Sequence, residues 1–182
     1  MRADFKVVLD ACVLGNYSVC DLYLRLAESP RLYLPKWSSE LLDETARTHG
    51  RLGWPPELIK SFQKAVRCAF PEAMTANYEH LIEHCLNDPK DRHVLACAAH
   101  CQAEVIVTFN LRDFPAEALK TWGVQAMHPE DYLLSLYSMD RLIVYQKLAM
   151  IADKRRCSVA DHLIDLGQFL PGFAQRVLAD LQ

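Results

Sequence analysis

The 182-residue chain contains no run approaching the ~18 consecutive apolar residues that a membrane-spanning helix needs, so a membrane protein is not expected. Its first fifteen residues, MRADFKVVLDACVLG, hold only a short apolar run before an acid, which is not the pattern of an export signal. A cytoplasmic protein is the expectation. The chain also lacks a basic excess: 20 Lys and Arg stand against 23 Asp and Glu, a formal charge of -3. Broad electrostatic capture of nucleic acid is thereby excluded, and any such contact must rest on a local patch or on bound cations. Glycine is scarce, six in all, with no P-loop and no Gly-rich dinucleotide fingerprint. The seven cysteines form no CxxC pair and are odd in number, which suits reduced, mostly buried thiols. Internal repeats and low-complexity stretches are missing too, so the chain is neither fibrous nor disordered.

What is present is an alternation of strands and helices. Phe5–Leu9 is a continuous apolar, β-branched run of strand length, and Glu104–Thr108 is a second. Arg31–Leu34, ended by Pro35, and a segment within Thr121–Met127 are shorter candidates. Helical spacing covers Val13–Glu28, Ser38–Thr48, Pro56–Phe70, Glu72–Leu86 and Asn87–Cys101. In the last of these, Asp88 suits the N-cap, Pro89 the first helical position and Asp91 the third. From His128 onward the pattern is helical, with Ser158 to Asp161 reading as a capping box. The expected fold is α/β, a short parallel sheet flanked by helices over residues 1–138, with a helical extension over 139–182.

Chemistry concentrates in the acids. Asp10 follows Val7-Val8-Leu9 directly, at the carboxyl end of a buried strand, where open α/β sheets bind ligands. Asn110 and Asp113 lie just beyond the second run, at the same edge. Either alone reads as a turn or cap residue; their coincidence points to a site. On a helical wheel Asp91 falls within the apolar arc of Val94, Leu95, Ala98 and Cys101, while Arg92, His93 and His100 fall outside it. An inward carboxylate needs a partner. Glu44 stands at the edge of the apolar side of its helix, with Glu40 and Asp43 as alternatives that spacing does not separate. Converging carboxylates cannot all stay ionised without cations, and Mg²⁺ or Mn²⁺ prefers such oxygen ligands. The chemistry that uses such a set is phosphoryl transfer.

The segments VVLDACVL (7–14), LLDET (41–45), NDPKDRHVLACAA (87–99) and VIVTFNLRDFP (105–115), closed by VQAMHPEDYL (124–133), resemble the PIN-domain ribonucleases, including the VapC-type toxins of toxin–antitoxin pairs. The resemblance implies the PIN fold and metal-binding, catalytic acids at Asp10, Glu44, Asp91 and Asp113, with Asn110 as a further polar contact. It, and not spacing, selects Glu44 over Glu40. It further implies Mg²⁺- or Mn²⁺-dependent endoribonuclease activity leaving a 5′-phosphate, an RNA substrate, and an antitoxin partner. Two positions depart from the common pattern: Ala11-Cys12 after the first acid, and Asn110 where an acid is frequent. The reading from another class is a catalytically silent PIN-like module that binds RNA or protein.

Other constellations compete. His93, Cys97 and Cys101 recur every four residues, and His80, His84 and Cys85 repeat the theme, which would suit Zn²⁺; buried thiols are the simpler account of the cysteines. Lys60, Lys64 and Arg67 form a stripe that, with Arg47, Arg51 and Arg112, would guide RNA phosphates, and Trp54 would stack a base. A solvated helix face and a packing tryptophan explain the same residues. After Asp140, apolar residues at helical spacing from Leu142 to Leu181 are too many for so short a segment to bury alone. They are expected to pack on the main domain or form part of an interface with an antitoxin or a second copy.

Overall fold

A computed structural model describes residues 4–181. The first strand, β1 (Lys6–Leu9), buries Val7, Val8 and Leu9 completely. Such burial on both faces is what an unbroken β-branched run in a parallel sheet requires. A one-turn helix, α1 (Ala11–Leu14), follows at once, and α2 (Tyr17–Ala27) begins after Asn16, whose side chain accepts from the Val19 N–H. The single helical pattern expected over 13–28 is therefore two helices. Gly15 lies at the break, where an added Cβ would stand 2.7 Å from the Thr48 methyl. Only glycine lets this corner approach the helix that carries Thr48.

The second strand, β2 (Leu34–Lys36), runs through Pro35 and does not end before it. It is an edge strand, where a missing N–H is tolerated. Helix α3 (Ser39–Arg51) is capped by Ser38, which accepts from Leu41 N–H, and runs past Gly50. Next comes α4 (Pro56–Ala69). The helix expected over 72–86 does not form: only two 3₁₀ segments, Pro71–Ala73 and Glu79–His84, appear there. Between them Met74 bridges to Trp37 and Asn77 takes a left-handed φ of 63°, so the chain is pinned beside the sheet and turned.

Helix α5 (Arg92–Cys101) begins later than expected. The Asp88 carboxylate accepts from Lys90 N–H, an Asx turn that holds Asp88 to Lys90 outside the helix. The third strand, β3 (Val105–Val107), leads through a 3₁₀ turn, Leu111–Asp113, into α6 (Ala116–Lys120) and the fourth strand, β4 (Gln125–Met127). All strands are parallel, in the order β2-β1-β3-β4, with Val8 paired to Lys36 on one side and to Ile106 on the other. This places the carboxyl ends of β1 and β3 side by side, so the residues after Leu9 and after Val107 share one rim. The expected α/β architecture is what the chain adopts.

Four helices close the chain: α7 (Pro129–Met139), α8 (Arg141–Arg155), α9 (Val159–Leu166), with the capping box at Ser158, and α10 (Pro171–Asp180). Helix α8 packs on α2, and α10 packs on α7 and α9. Val144, Leu148, Ile151, Leu163, Leu166, Leu170, Phe173 and Val177 join the same core as the sheet. Leu142, Tyr145, Phe169 and Leu181 stay exposed. The tail thus packs chiefly on the main body and leaves these apolar side chains, with Met139, Met150 and Ile164, outside. No helix among the described residues is long and apolar enough to cross a membrane.

Candidate active site

Asp10 sits at the hinge between β1 and α1. Its N–H donates to the Val107 carbonyl at 3.1 Å, its carbonyl accepts from Val13 at 2.9 Å, and its side chain is 4% exposed within the residue as a whole. The carboxylate is gripped on three sides: by Ala11 N–H at 2.6 Å, the Thr108 hydroxyl at 2.6 Å and the Cys12 thiol at 3.1 Å. Burial and then the Asp10 charge push the Cys12 thiol up to about 12, so it stays protonated and donates. Thr108 also accepts from the Asn110 N–H at 3.0 Å. Thr108 was not among the expected site residues, although a hydroxyl directly after a buried run, two positions before Asn110, was the available signal.

Asp91 occupies the N-cap position of α5, not its third residue, and its side chain makes no capping bond. The carboxyl is half-buried and therefore free to face the rim. Its pKa is raised to about 6, first by burial, then by the negative charges of Asp10, Asp113 and Asp88, with His93 pulling weakly the other way. Asp113 ends the 3₁₀ turn after β3, and its carbonyl accepts from the Asp88 N–H at 3.1 Å, which ties the loop before α5 to the loop after β3. Arg112, 91% exposed at its side chain, reaches the Asp113 carboxylate at 3.7 Å. Asn110 is exposed at the start of that turn, with no side-chain cap bond. Three segments far apart in sequence thus bring Asp10, Asp91 and Asp113 within electrostatic reach.

Glu44, half-buried on α3, meets His93 at 3.4 Å and Arg47 at 3.6 Å. Glu40 meets the other ring nitrogen of His93 at 3.7 Å and accepts from the Tyr78 hydroxyl at 3.3 Å. Both glutamates therefore address one histidine. The helical wheel places His93 outside the apolar arc, yet every residue from His93 to Ala98 is buried, so α5 is enclosed on all faces there and only 5% of His93 is exposed. Burial alone would lower its pKa, yet the close carboxylate of Glu44, then the charges of Glu40 and Asp10, hold it above the ordinary value.

The candidate donors are carboxylate oxygens and the Asn110 amide oxygen, and the charges that bear on Asp91 are mainly negative. That chemistry suits a hard divalent cation and not a soft one. Among the described residues no three His, Cys, Asp or Glu side chains stand close enough to encircle an ion.

The zinc alternative does not assemble. His93 faces the glutamates, Cys97 is fully buried in the core, and the Cys101 thiol lies 3.6 Å from the Ala98 carbonyl. His80 stacks edge-on to His100, and the buried Cys85 thiol donates to the Leu81 carbonyl. Trp54 has no free face on one side: its ring lies parallel to His49 at 4.0 Å and edge-on to Phe62, so it packs. Arg47 and Arg112 flank the rim through Glu44 and Asp113. Lys60 and Lys64 lie exposed on α4, and Arg51 ends α3 two turns beyond Glu44. Arg67 turns to the Met74 sulfur at 3.5 Å instead of extending the stripe.

Comparison with known proteins agrees with this geometry. A curated protein of Mycobacterium tuberculosis, named "Putative ribonuclease VapC50", is 47% identical over 101 residues, which are 53% of this chain and 56% of that protein. The match thus spans little more than half the length of that relative. No solved structure matches the chain. The family model described as PIN domain matches residues 4–112, more than half of the chain and with it Asp10, Glu44, Asp91 and Asn110. The chain belongs to the PIN domain family.

Proposed function

We propose that the protein is a metal-dependent endoribonuclease, the toxin of a toxin–antitoxin pair, acting on RNA in the cytoplasm. What supports this reading is the pressure of the Asp10 and Asp113 charges on Asp91, whose pKa they and burial raise, at the carboxyl rim of a parallel sheet. Structural acids have a cap or an ion pair to justify them; Asp91 has no cap bond. The relative's name as a ribonuclease is consistent with the same chemistry. Asp10, Asp91 and Asp113, with Glu44 and Asn110 beside them, would hold Mg²⁺ or Mn²⁺. Such an ion supplies positive charge opposite a phosphodiester and acidifies a water for in-line attack.

The chain's own contributions follow from the contacts. Thr108, Cys12 and Ala11 fix the rotamer of Asp10, so its carboxylate needs no reordering when the substrate arrives. Arg47 and Arg112 stand at the two sides of the acids, placed to meet RNA phosphates, and Arg51, Lys60 and Lys64 extend the path farther out. The nuclease proper is assigned to residues 1–138 and the tail, 139–182, to an extension. An antitoxin would cover the acidic rim with a basic side chain, and the exposed tail residues leave room for a second copy.

The decisive experiment is end-mapped cleavage of total RNA by the full chain, with Mg²⁺ or Mn²⁺ and with chelator. Discrete 5′-phosphate ends that appear only with the ion are expected. Binding of RNA with no new ends under any metal would replace this reading by a silent PIN-like module.

A further inference from the structure

We propose that His93 is a positioning residue for Glu44, the side chain that steers this glutamate from α3 toward the acids at the start of α5; the inference rests on the divalent-cation reading above. His93 lies on the first turn of α5, two residues after Asp91, and Glu44 lies on α3. The imidazole is therefore the link by which the helix carrying one acid fixes an acid on another helix. It is 5% exposed, and neither ring nitrogen has a hydrogen-bond partner of good geometry among the described residues. Its near neighbours are carboxylate oxygens, Glu44 Oε1 at 3.4 Å from Nε2 and Glu40 Oε2 at 3.7 Å from Nδ1.

A buried ring with unsatisfied nitrogens is costly unless those contacts shorten or are used. Glu44 has three side-chain torsions, and its other contact, Arg47, is 59% exposed at its side chain and restrains little. Glu40 is already engaged by Tyr78, which leaves His93 free to act on Glu44 while Glu40 steadies the far side of the ring. Partners that orient metal-ligating groups commonly change metal affinity about 10–100-fold when removed. His93 is placed for that role without being a ligand itself.

The test is Mn²⁺ binding by the full-length protein, measured by calorimetry or by the Mn²⁺ electron paramagnetic resonance signal, alongside melting temperature. His93→Leu should weaken Mn²⁺ binding about tenfold without lowering the melting temperature. His93→Gln, whose amide nitrogen reaches the position of Nε2, should stay within about threefold of the parent. In a Glu44→Gln background, His93→Leu should cause no further loss, because the ring acts through that carboxylate. Parental Mn²⁺ affinity in His93→Leu, with binding lost in Asp91→Asn, would overturn the positioning role and leave the acidic site standing. Parental affinity in Asp91→Asn would instead bring down the cation site itself. Should His93→Leu fail to fold, Glu44→Gln decides, since parental Mn²⁺ affinity there also overturns the proposal.

Discussion

The molecule buries charge in two places and treats it in opposite ways. In the helical tail, Lys147 is 3% exposed, yet its ammonium donates to the Glu28 and Ser29 carbonyls, both at 3.2 Å. These groups follow the end of α2, where a cation is favoured by the helix dipole. Glu130 likewise accepts from the Gly172 and Phe173 N–H groups at 2.5 and 3.1 Å, at the start of α10. A Cβ on Gly172 would come within 3.1 Å of that carboxylate, so glycine is what admits it. At the acidic rim the partners of Asp91 are other carboxylates. Satisfied charges hold helices together; charges left to face one another mark where a cation and a phosphate would come. The contrast separates acids held by backbone N–H groups from an acid pressed by other carboxylates, without reference to family.

The largest effect should come from Asp10→Asn. Charge is removed while an acceptor for Ala11 N–H remains. RNA cleavage is expected to fall about a thousandfold or more, the scale of losing several kcal/mol of transition-state stabilisation. Stability should fall by about 1 kcal/mol, because Thr108 and Cys12 lose the carboxylate oxygen that accepts from them while repulsion with Asp91 is relieved and the backbone grip on residue 10 is untouched. Lys147→Ala should do the reverse: unfolding free energy down by about 2 kcal/mol in urea titration, from two carbonyls left without their donor and a buried gap, with cleavage per folded molecule unchanged. Tail and rim would cease to be distinct if Lys147→Ala abolished cleavage in a fully folded protein.

How far the sequence carried the argument differed in the same two regions. The rim was legible because Val7-Val8-Leu9-Asp10 and Val105-Ile106-Val107-Thr108 state both the strand and its end, and parallel pairing then brings the following residues together. Asp91's inward direction followed from helical spacing even though the helix start was misplaced: residues 88–91 form a turn that continues nearly the same rotation. His93 escapes the wheel for another reason: a wheel assumes one solvent face, whereas every residue from His93 to Ala98 is buried. The choice of Glu44 over Glu40 was not available from periodicity, and the geometry explains why: both flank one ring from successive turns of α3. The lost helix over 72–86 reflects a tertiary pairing, Trp37 with Met74, that no local propensity announces.

The smallest expected effect is the rim's share of the slope of stability with pH; burial lowers the pKa of His49 and His162, so those two rings contribute with the opposite sign. Asp91 carries a folded pKa of about 6 against an ordinary value of 3.8. A carboxyl raised in this way binds its proton more tightly when folded, so its contribution is present below about pH 4 and is lost as pH climbs through 6. His93, also held above its ordinary value, acts in the same direction: its stabilisation is present while the ring is protonated and fades as pH rises through its folded pKa. In chelator-treated protein the rim's share should therefore lower the melting temperature from pH 5 to pH 7.5, read as the difference between the parent and Asp91→Asn. Added Mg²⁺ or Mn²⁺ should flatten that decline, because a bound cation favours the ionised acids and binds only the folded rim. Asp91→Asn should flatten it without metal by raising the neutral end, while Lys147→Ala should shift the whole curve down and keep its slope. A steep decline retained in Asp91→Asn would show that the pH response arises elsewhere, and the crowding of the rim acids would lose its thermodynamic support.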